Sequence, residues 1–485
     1  MAKGLEYKWI VAIVAVFGLF MELLDATIVN VAIPTLQQEF EARTTTIEWV
    51  VTGYLLSLAV FIPVSGWAGD RFGTKKTFIF ALAVFTGASL ACAFAWNIGS
   101  LIVFRLLQGV GGGMLTPVGT TMVFRAFPPS ERSKASGVMV IPTTVAPASG
   151  PVLGGFLVEH VSWEWIFLVN VPVGLLGLVV SARWLKEHKE GDPGTFDVPG
   201  FLLAATGMGS LLYALAEAGS YGFDDSRVIL FGTLGLVLLA AFVVVELRTK
   251  EPMIDIRLLA NRLFAASNGV QFVAMTGFSA SLFILPIFLQ AERHLDAFES
   301  GLATFPMALG VMTAAQPTAR IYPRVGPRRL MLLGVTVSSV VGFAFAWMDL
   351  DTNLWIVRLL MYIRGLGFGV MLIPLQAATF ATISPQMTGR ASSLFSSGRM
   401  VAQSLGVAIV ATALTTLLSN HDAIQGSATP AAVDAYQEAF IVAGVMTLLA
   451  LPVTFFIRDR DAAASMAPAA VAGAEEAEQA AAPVH

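Results

Sequence analysis

Fourteen apolar runs, each long enough to cross about 30 Å of hydrocarbon at about 1.5 Å of helix per residue, leave this chain very little choice of fold. They fall near residues 9–34, 46–69, 76–96, 99–124, 133–158, 165–185, 198–219, 226–248, 261–290, 298–320, 327–348, 353–381, 391–418 and 437–457. A backbone inside a bilayer has no water to bond with, so each run is expected as a self-satisfied α-helix. Charged residues make up 13% of the chain, against about 25% in ordinary soluble domains. The expectation is an all-α polytopic membrane protein. The first run is too long for a signal-peptide core and lacks a small-residue cleavage site, so it is expected to stay as a helix.

The loops support that count. Placing both termini in the cytoplasm puts about 22 of the 29 Lys and Arg residues on one side, the asymmetry expected of a correct topology. Arg43, Arg227 and Arg293 fall on the opposite side, and Arg105, Arg358, Arg364 and Arg399 lie inside apolar runs. After Arg460 the chain reads "DAAASMAPAAVAGAEEAEQAAAPVH", alanine-rich, acidic and without aromatics, and residues 461–485 are expected as a disordered cytoplasmic tail. The single cysteine, Cys92, has no disulfide partner, and the five His form no metal-spaced cluster. No G-x-x-x-x-G-K-[ST] phosphate loop is present, which counts against an ATP-driven pump.

The chain repeats itself. "GWAGDRFGTKK" (66–76) returns as "ARIYPRVGPRR" (319–329), and "QGVGGGMLTP" in the fourth run returns as "RGLGFGVMLIP" in the twelfth. The expected organisation is therefore a six-helix bundle over 1–190, two additional helices with their linkers over 191–255, and a second six-helix bundle over 256–460. In the first loop, Gly66, Asp70, Arg71, Gly73, Lys75 and Lys76 can join neighbouring helices by charge and hydrogen bonds in one state and release them in another. An ordinary positive-inside loop would not account for the glycines and the acid, and the second copy has Pro323 where the first has Asp70.

Two carboxylates, Glu22 and Asp25, interrupt the first run three residues apart on one helical face. A charge at mid-bilayer costs at least ~2.5 kcal/mol, so such residues are candidates for function. If both faced one cavity they would repel when ionised, which favours one of them holding a proton. Asp25 is a candidate for proton coupling or, alternatively, a structural acid beside Thr27 and Asn30. Glu22 is a second titrating site, a contact for a cationic substrate, or a residue near the pore mouth. Arg364, Arg399 and Gln403 are candidates for binding anionic groups or for an internal polar network, and Gln108, Asn268 and Gln271 are further polar candidates in the runs.

"LDATIVNVAIPTL" (24–36), "GWAGDRFGTKK", "RLLQGVGGG" (105–113), and Gly137, Gly150, Pro151, Gly154 and Gly155 in the fifth run together resemble the major facilitator superfamily. The resemblance is to its fourteen-helix drug:proton antiporter branch, over residues 9–458. Ala146 stands where the fifth-helix motif has a glycine, and "WEW" places Glu164 where the family often has arginine. The resemblance implies the major facilitator fold in a bacterial cytoplasmic membrane and a proton-coupled exporter of amphipathic drugs or other lipophilic compounds. It implies no enzymatic activity and no cofactor, the proton gradient being the driving force. Arg105 matches the family's fourth-helix arginine and is expected either to answer the protonation of the first-helix acid or to serve in packing. The fifth-helix glycines would be an alternating-access hinge or close-packing positions. The expected partners are a lipophilic small molecule, protons and membrane lipids, with a periplasmic adaptor unassigned and no nucleic acid. A selective exporter of one metabolite, antibiotic or lipid is the alternative, and a membrane sensor or lipid-handling scaffold is the alternative without transport.

Overall fold

The computed structural model describes residues 6–42, 44–189 and 195–466, which form helices joined by short turns, with no strand among them. Six helices come first: α1 (Tyr7–Glu39), α2 (Thr44–Phe72), α3 (Thr74–Ala93), α4 (Ile98–Ala126), α5 (Arg132–His160) and α6 (Asn170–Trp184). Next come α7 (Val198–Tyr221) and α8 (Ser226–Arg248). The chain continues with α9 (Arg262–Ala291), α10 (Pro306–Val325), α11 (Pro327–Ala344), α12 (Leu354–Thr379), α13 (Thr388–Asn420) and α14 (Pro430–Leu448).

Thirteen of these segments are long and apolar enough to cross a membrane; α10 is the exception. The single span expected at 298–320 is two pieces, Ala297–Thr304 and α10, because Pro306 has no N–H to carry the ladder across Phe305. α10 also carries Gln316, Arg320 and Arg324, which lower its hydropathy. The last helix starts seven residues before the expected 437, at Pro430, where the Thr429 hydroxyl accepts from the Ala432 N–H at 3.3 Å. Asp434 and Gln437 hid that start in an apolarity reading.

α1–α6 close around buried residues such as Leu19, Phe78, Phe85 and Leu115, with Ile28, Leu101 and Phe167 nearer the other end. α9–α14 pack around Ile284, Phe288, Val335, Ile373 and Phe440. α7 and α8 form a tight hairpin: a Cβ on Gly235 would come 2.7 Å from the Leu211 nitrogen. The hairpin rests on one helix from each group, with Leu212 and Leu215 against Ala59 of α2 and Ala408 of α13. Thr412 of α13 donates to the Ala218 carbonyl of α7 at 2.7 Å.

The repeat in the loops has a structural counterpart. Gly73 (φ 98°) and Gly326 (φ 86°) take the left-handed conformation between the second and third helices of each half. Two residues on, the Lys75 N–H donates to Glu187 at 3.0 Å and the Arg328 N–H donates to Asp459 at 2.9 Å. In both halves, an acid arriving after the last helix satisfies the exposed N-terminus of the third. Part of the expected tail is packed: Ser465 meets Tyr322 of α10 at 2.6 Å. Residues 467–485 of that tail lie outside the described residues.

Candidate functional site

Asp25 lies at the centre of a sealed polar network inside the first half. It is 0% exposed and pairs with Arg105 of α4, equally buried, at 2.5 Å. The Gln108 amide and Asn170 of α6 donate to its other oxygen at 2.8 and 2.9 Å. Arg105 donates further to Gln108 at 2.6 Å and to the Val50 carbonyl of α2 at 2.9 Å, and the Tyr54 ring lies 4.0 Å from the guanidinium. Gln108 completes its bonding with Ser89 of α3 at 2.6 Å. One carboxylate thus ties α1 to α4 and α6, and Arg105 and Gln108 extend the tie to α2 and α3. A buried charge pair is tolerated only when its remaining hydrogen-bonding groups are met in this way.

Glu22 does not share that site. It accepts from the Thr116 hydroxyl of α4, and its backbone carbonyl accepts from Tyr54 at 3.3 Å. Neither acid is in the lining of the cavity between the halves, and each makes its own contacts in place of the shared-cavity pair considered from the sequence. The structural alternative for Asp25 with Thr27 and Asn30 is also not what forms. Thr27 turns back to the Leu23 and Leu24 carbonyls, and both Thr27 and Asn30 line the cavity.

That cavity, of about 720 Å³, lies between the halves. α1 and α5 supply one wall, and α9, α10, α12 and α13 the rest. Its lining is mainly apolar, with Met275, Phe278, Phe283 and Phe368, and with Gln271, Gln376 and Gln403 among its polar groups. Arg399 is its one charged lining residue. Arg364 lies just behind it, 1% exposed, its guanidinium 5.2 Å from the Phe278 ring and 5.7 Å from that of Phe345, with a 3.4 Å contact to the Phe278 carbonyl as its hydrogen bond among the described residues. Asn268 donates to the Phe264 carbonyl of its own helix at 2.8 Å and does not line the cavity.

The halves meet on the side that carries the basic loops. Ser65 of α2 meets Ser393 of α13 at 3.0 Å, and a Cβ on Gly66 would lie 3.0 Å from the Gly389 carbonyl. Asp70 pairs with Arg125 at 3.1 Å, and Arg125 donates to the Pro385 carbonyl at 2.9 Å. Arg132 reaches the Phe380 carbonyl, and Phe124 stacks on Phe380 at 4.4 Å. Of the loop residues named from the sequence, Gly66 and Asp70 therefore face the other half. Gly73 and Lys75 stay within their own, Lys75 donating to the Ala182 and Leu185 carbonyls, while Arg71 and Lys76 are exposed.

In α5, a Cβ on Gly150 would come within 2.2 Å of Thr27 and one on Gly154 within 2.9 Å of the Ile28 carbonyl. Gly137 would make only ordinary contact with Ala315, and Gly155 faces open space. Pro151 lies inside an unbroken α5 and lines the cavity. Sequence reasoning missed Asn170, Thr116, Arg125 and Arg132. Asn170 and Thr116 are polar residues in apolar runs, a signal that was available; the two arginines were counted only as loop charge. Among the described residues, no three His, Cys, Asp or Glu side chains are placed to hold a metal.

Membrane-spanning helices in two related halves that meet around a cavity have the architecture of a transporter. The chain belongs to the Major Facilitator Superfamily, which residues 15–407 and 268–480 match. It is 36% identical over 415 residues to a "Multidrug resistance protein B homolog" of Mycobacterium tuberculosis, covering 85% of this chain and 77% of that protein. It is 30% identical over 459 residues to a "Putative multidrug resistance protein MdtD" of Pectobacterium atrosepticum, covering 94% and 97%. The solved structure of the proton:xylose symporter XylE has the same fold, with a TM-score of 0.67, 12% identity, and coverage of 96% of this chain and 99% of that one.

Proposed function

We propose that the protein is a secondary active exporter that moves amphipathic drugs or other lipophilic compounds out of a bacterial cytoplasm in exchange for protons. The relatives named for multidrug resistance support the export reading. The observation that carries the coupling is the Asp25–Arg105 pair, sealed at 0% exposure and tying α1 to α4. Protonating Asp25 would leave Arg105 as a buried cation without a counter-charge, a state that costs several kcal/mol. Proton binding and helix arrangement are then linked, and whichever arrangement lets water reach Arg105 gains population. In this reading the two six-helix halves rock about the cavity, the contacts at Gly66, Asp70 and Arg125 close the cytoplasmic side, and both termini are cytoplasmic.

The test is proton movement in proteoliposomes under an imposed pH gradient, with a panel of chemically dissimilar lipophilic compounds. Substrate-triggered flux should vanish in Asp25→Asn and persist in Glu22→Gln. Flux that survives Asp25→Asn would remove the coupling role assigned to this pair, and flux triggered by one compound alone would favour a selective exporter.

A further inference from the structure

The charge around the cavity is unbalanced, and the imbalance lies in the second half. Arg399 projects into the cavity from α13, and no hydrogen bond or ion pair holds its guanidinium among the described residues. Glu22 is the acid whose field reaches it, yet Glu22 lies outside the lining and is engaged by Thr116. Arg364 has a buried Nε with no acceptor, screened from the cavity by Phe278 and Phe368, which stack at 4.0 Å. Gln271 lines the same space at 1% exposure, and its amide nitrogen, a donor, also has no partner. These are donors and cations with unmet capacity, set against one unpartnered amide oxygen in the lining, Oε1 of Gln376. In the first half, Asp25 and Arg105 neutralise each other away from the cavity, which leaves Glu22, itself engaged by Thr116, as the acid near Arg399 among the described residues.

We propose that the cavity selects amphipathic organic anions. A carboxylate or sulfonate is held by Arg399 and assisted by the Gln271 amide, with the apolar body against Met275, Phe278, Phe283 and Phe368. This rests on the exporter reading and specifies its substrate class. A lipophilic cation would meet the same apolar walls, but its charge would face Arg399 with no carboxylate in the lining, and like charges in a low-dielectric pocket repel strongly. A volume of about 720 Å³ suits a body of several fused rings. Arginine fits a planar anion better than lysine does, since its guanidinium presents paired donors.

The discriminating experiment uses two probes of one shape and opposite permanent charge, naphthalene-1-sulfonate and 1-naphthyltrimethylammonium. Transport of each is measured in proteoliposomes holding the full chain under a pH gradient, with wild type, Arg399→Gln and Arg399→Lys. The sulfonate should be moved saturably, with the apparent KM raised at least tenfold in Arg399→Gln and only partly restored in Arg399→Lys, which keeps the charge but not the paired donors. Unchanged sulfonate transport in Arg399→Gln would overturn the site. Transport of the ammonium but not the sulfonate would overturn the anion class while leaving proton-coupled export standing. Transport of neither would remove the exporter reading and this inference with it. If Arg399→Gln loses its monodisperse elution, Arg399→Lys decides: it retains sulfonate selectivity if the charge is what binds, and loses it if the side chain only packs.

Discussion

Replacing Asp70 by Asn keeps the shape of the interbundle contact and removes its charge. Asp70 and Arg125 pair at 3.1 Å with side chains only 5% and 7% exposed, and Gly389, at the start of α13, packs beside the same carboxylate. Deleting one member of a buried pair costs ~3–5 kcal/mol. The lower end applies here, since Arg125 keeps its bond to the Pro385 carbonyl at 2.9 Å. Both residues belong to the first half, so the cost bears on the closed arrangement only because the Pro385 turn and Gly389 there keep water from the pair. About 3 kcal/mol is roughly a hundredfold change in the equilibrium, enough to turn a population that is nearly all closed into a mixture. Spin labels on Lys189→Cys and Arg329→Cys, exposed positions on the basic side of the two halves, would report it as a second, longer distance. Cys92 is buried and would not compete for the label. An unchanged distance distribution in Asp70→Asn would mean that this pair does not hold the halves together.

The α5 glycines separate packing from bending. Gly150→Ala should lower the thermal midpoint and transport, because its Cβ would overlap Thr27, whereas Gly155→Ala, with open space around it, should leave both unchanged. Equal loss in the two would argue for a bending role. Glu187→Ala and Asp459→Ala should each destabilise the protein by ~1 kcal/mol, the usual worth of a helix N-terminal cap, read as a lower melting midpoint in detergent. Arg105→Ala should abolish substrate-driven proton flux, and its failure to do so would detach Arg105 from coupling.

Helix number and type were legible because a bilayer admits little else, and the halves were legible from the repeated loops. What escaped was set by partners distant in sequence. Arg125 and Arg132 read as loop charge because nothing near them in the chain shows that Pro385 and Phe380 lie across the seam. Asn170 was a visible polar residue in an apolar run, but only the crossing of α1 with α6 makes it a donor to Asp25. The pairing of Glu22 with Asp25 in one cavity failed for the converse reason. A spacing of three puts two residues on neighbouring positions of one face, yet small differences in azimuth send one towards Thr116 and the other towards Arg105.

The two halves differ in charge at positions that the repeat aligns. The fourth-helix repeat aligns Gln108 with Arg364. In the first half, the glutamine joins Arg105 in holding Asp25. In the second, the arginine meets the Phe278 ring and carbonyl and, among the described residues, no carboxylate. The first half thus encloses a balanced charge pair, while the second carries arginines at and behind the cavity that no ion pair holds among the described residues. The balanced pair changes net charge when it takes a proton, whereas the cations do so when a ligand supplies the missing anion. On the proposed reading, the proton is handled within the first half and the ligand's charge is met from the second, and a motion of the halves relative to each other couples the two. On this argument, substitutions at Arg399 should change which compounds are moved without abolishing substrate-driven proton flux, and Asp25→Asn should abolish that flux without changing which compounds bind. A variant set in which both kinds of substitution altered both properties would place the two functions in one site.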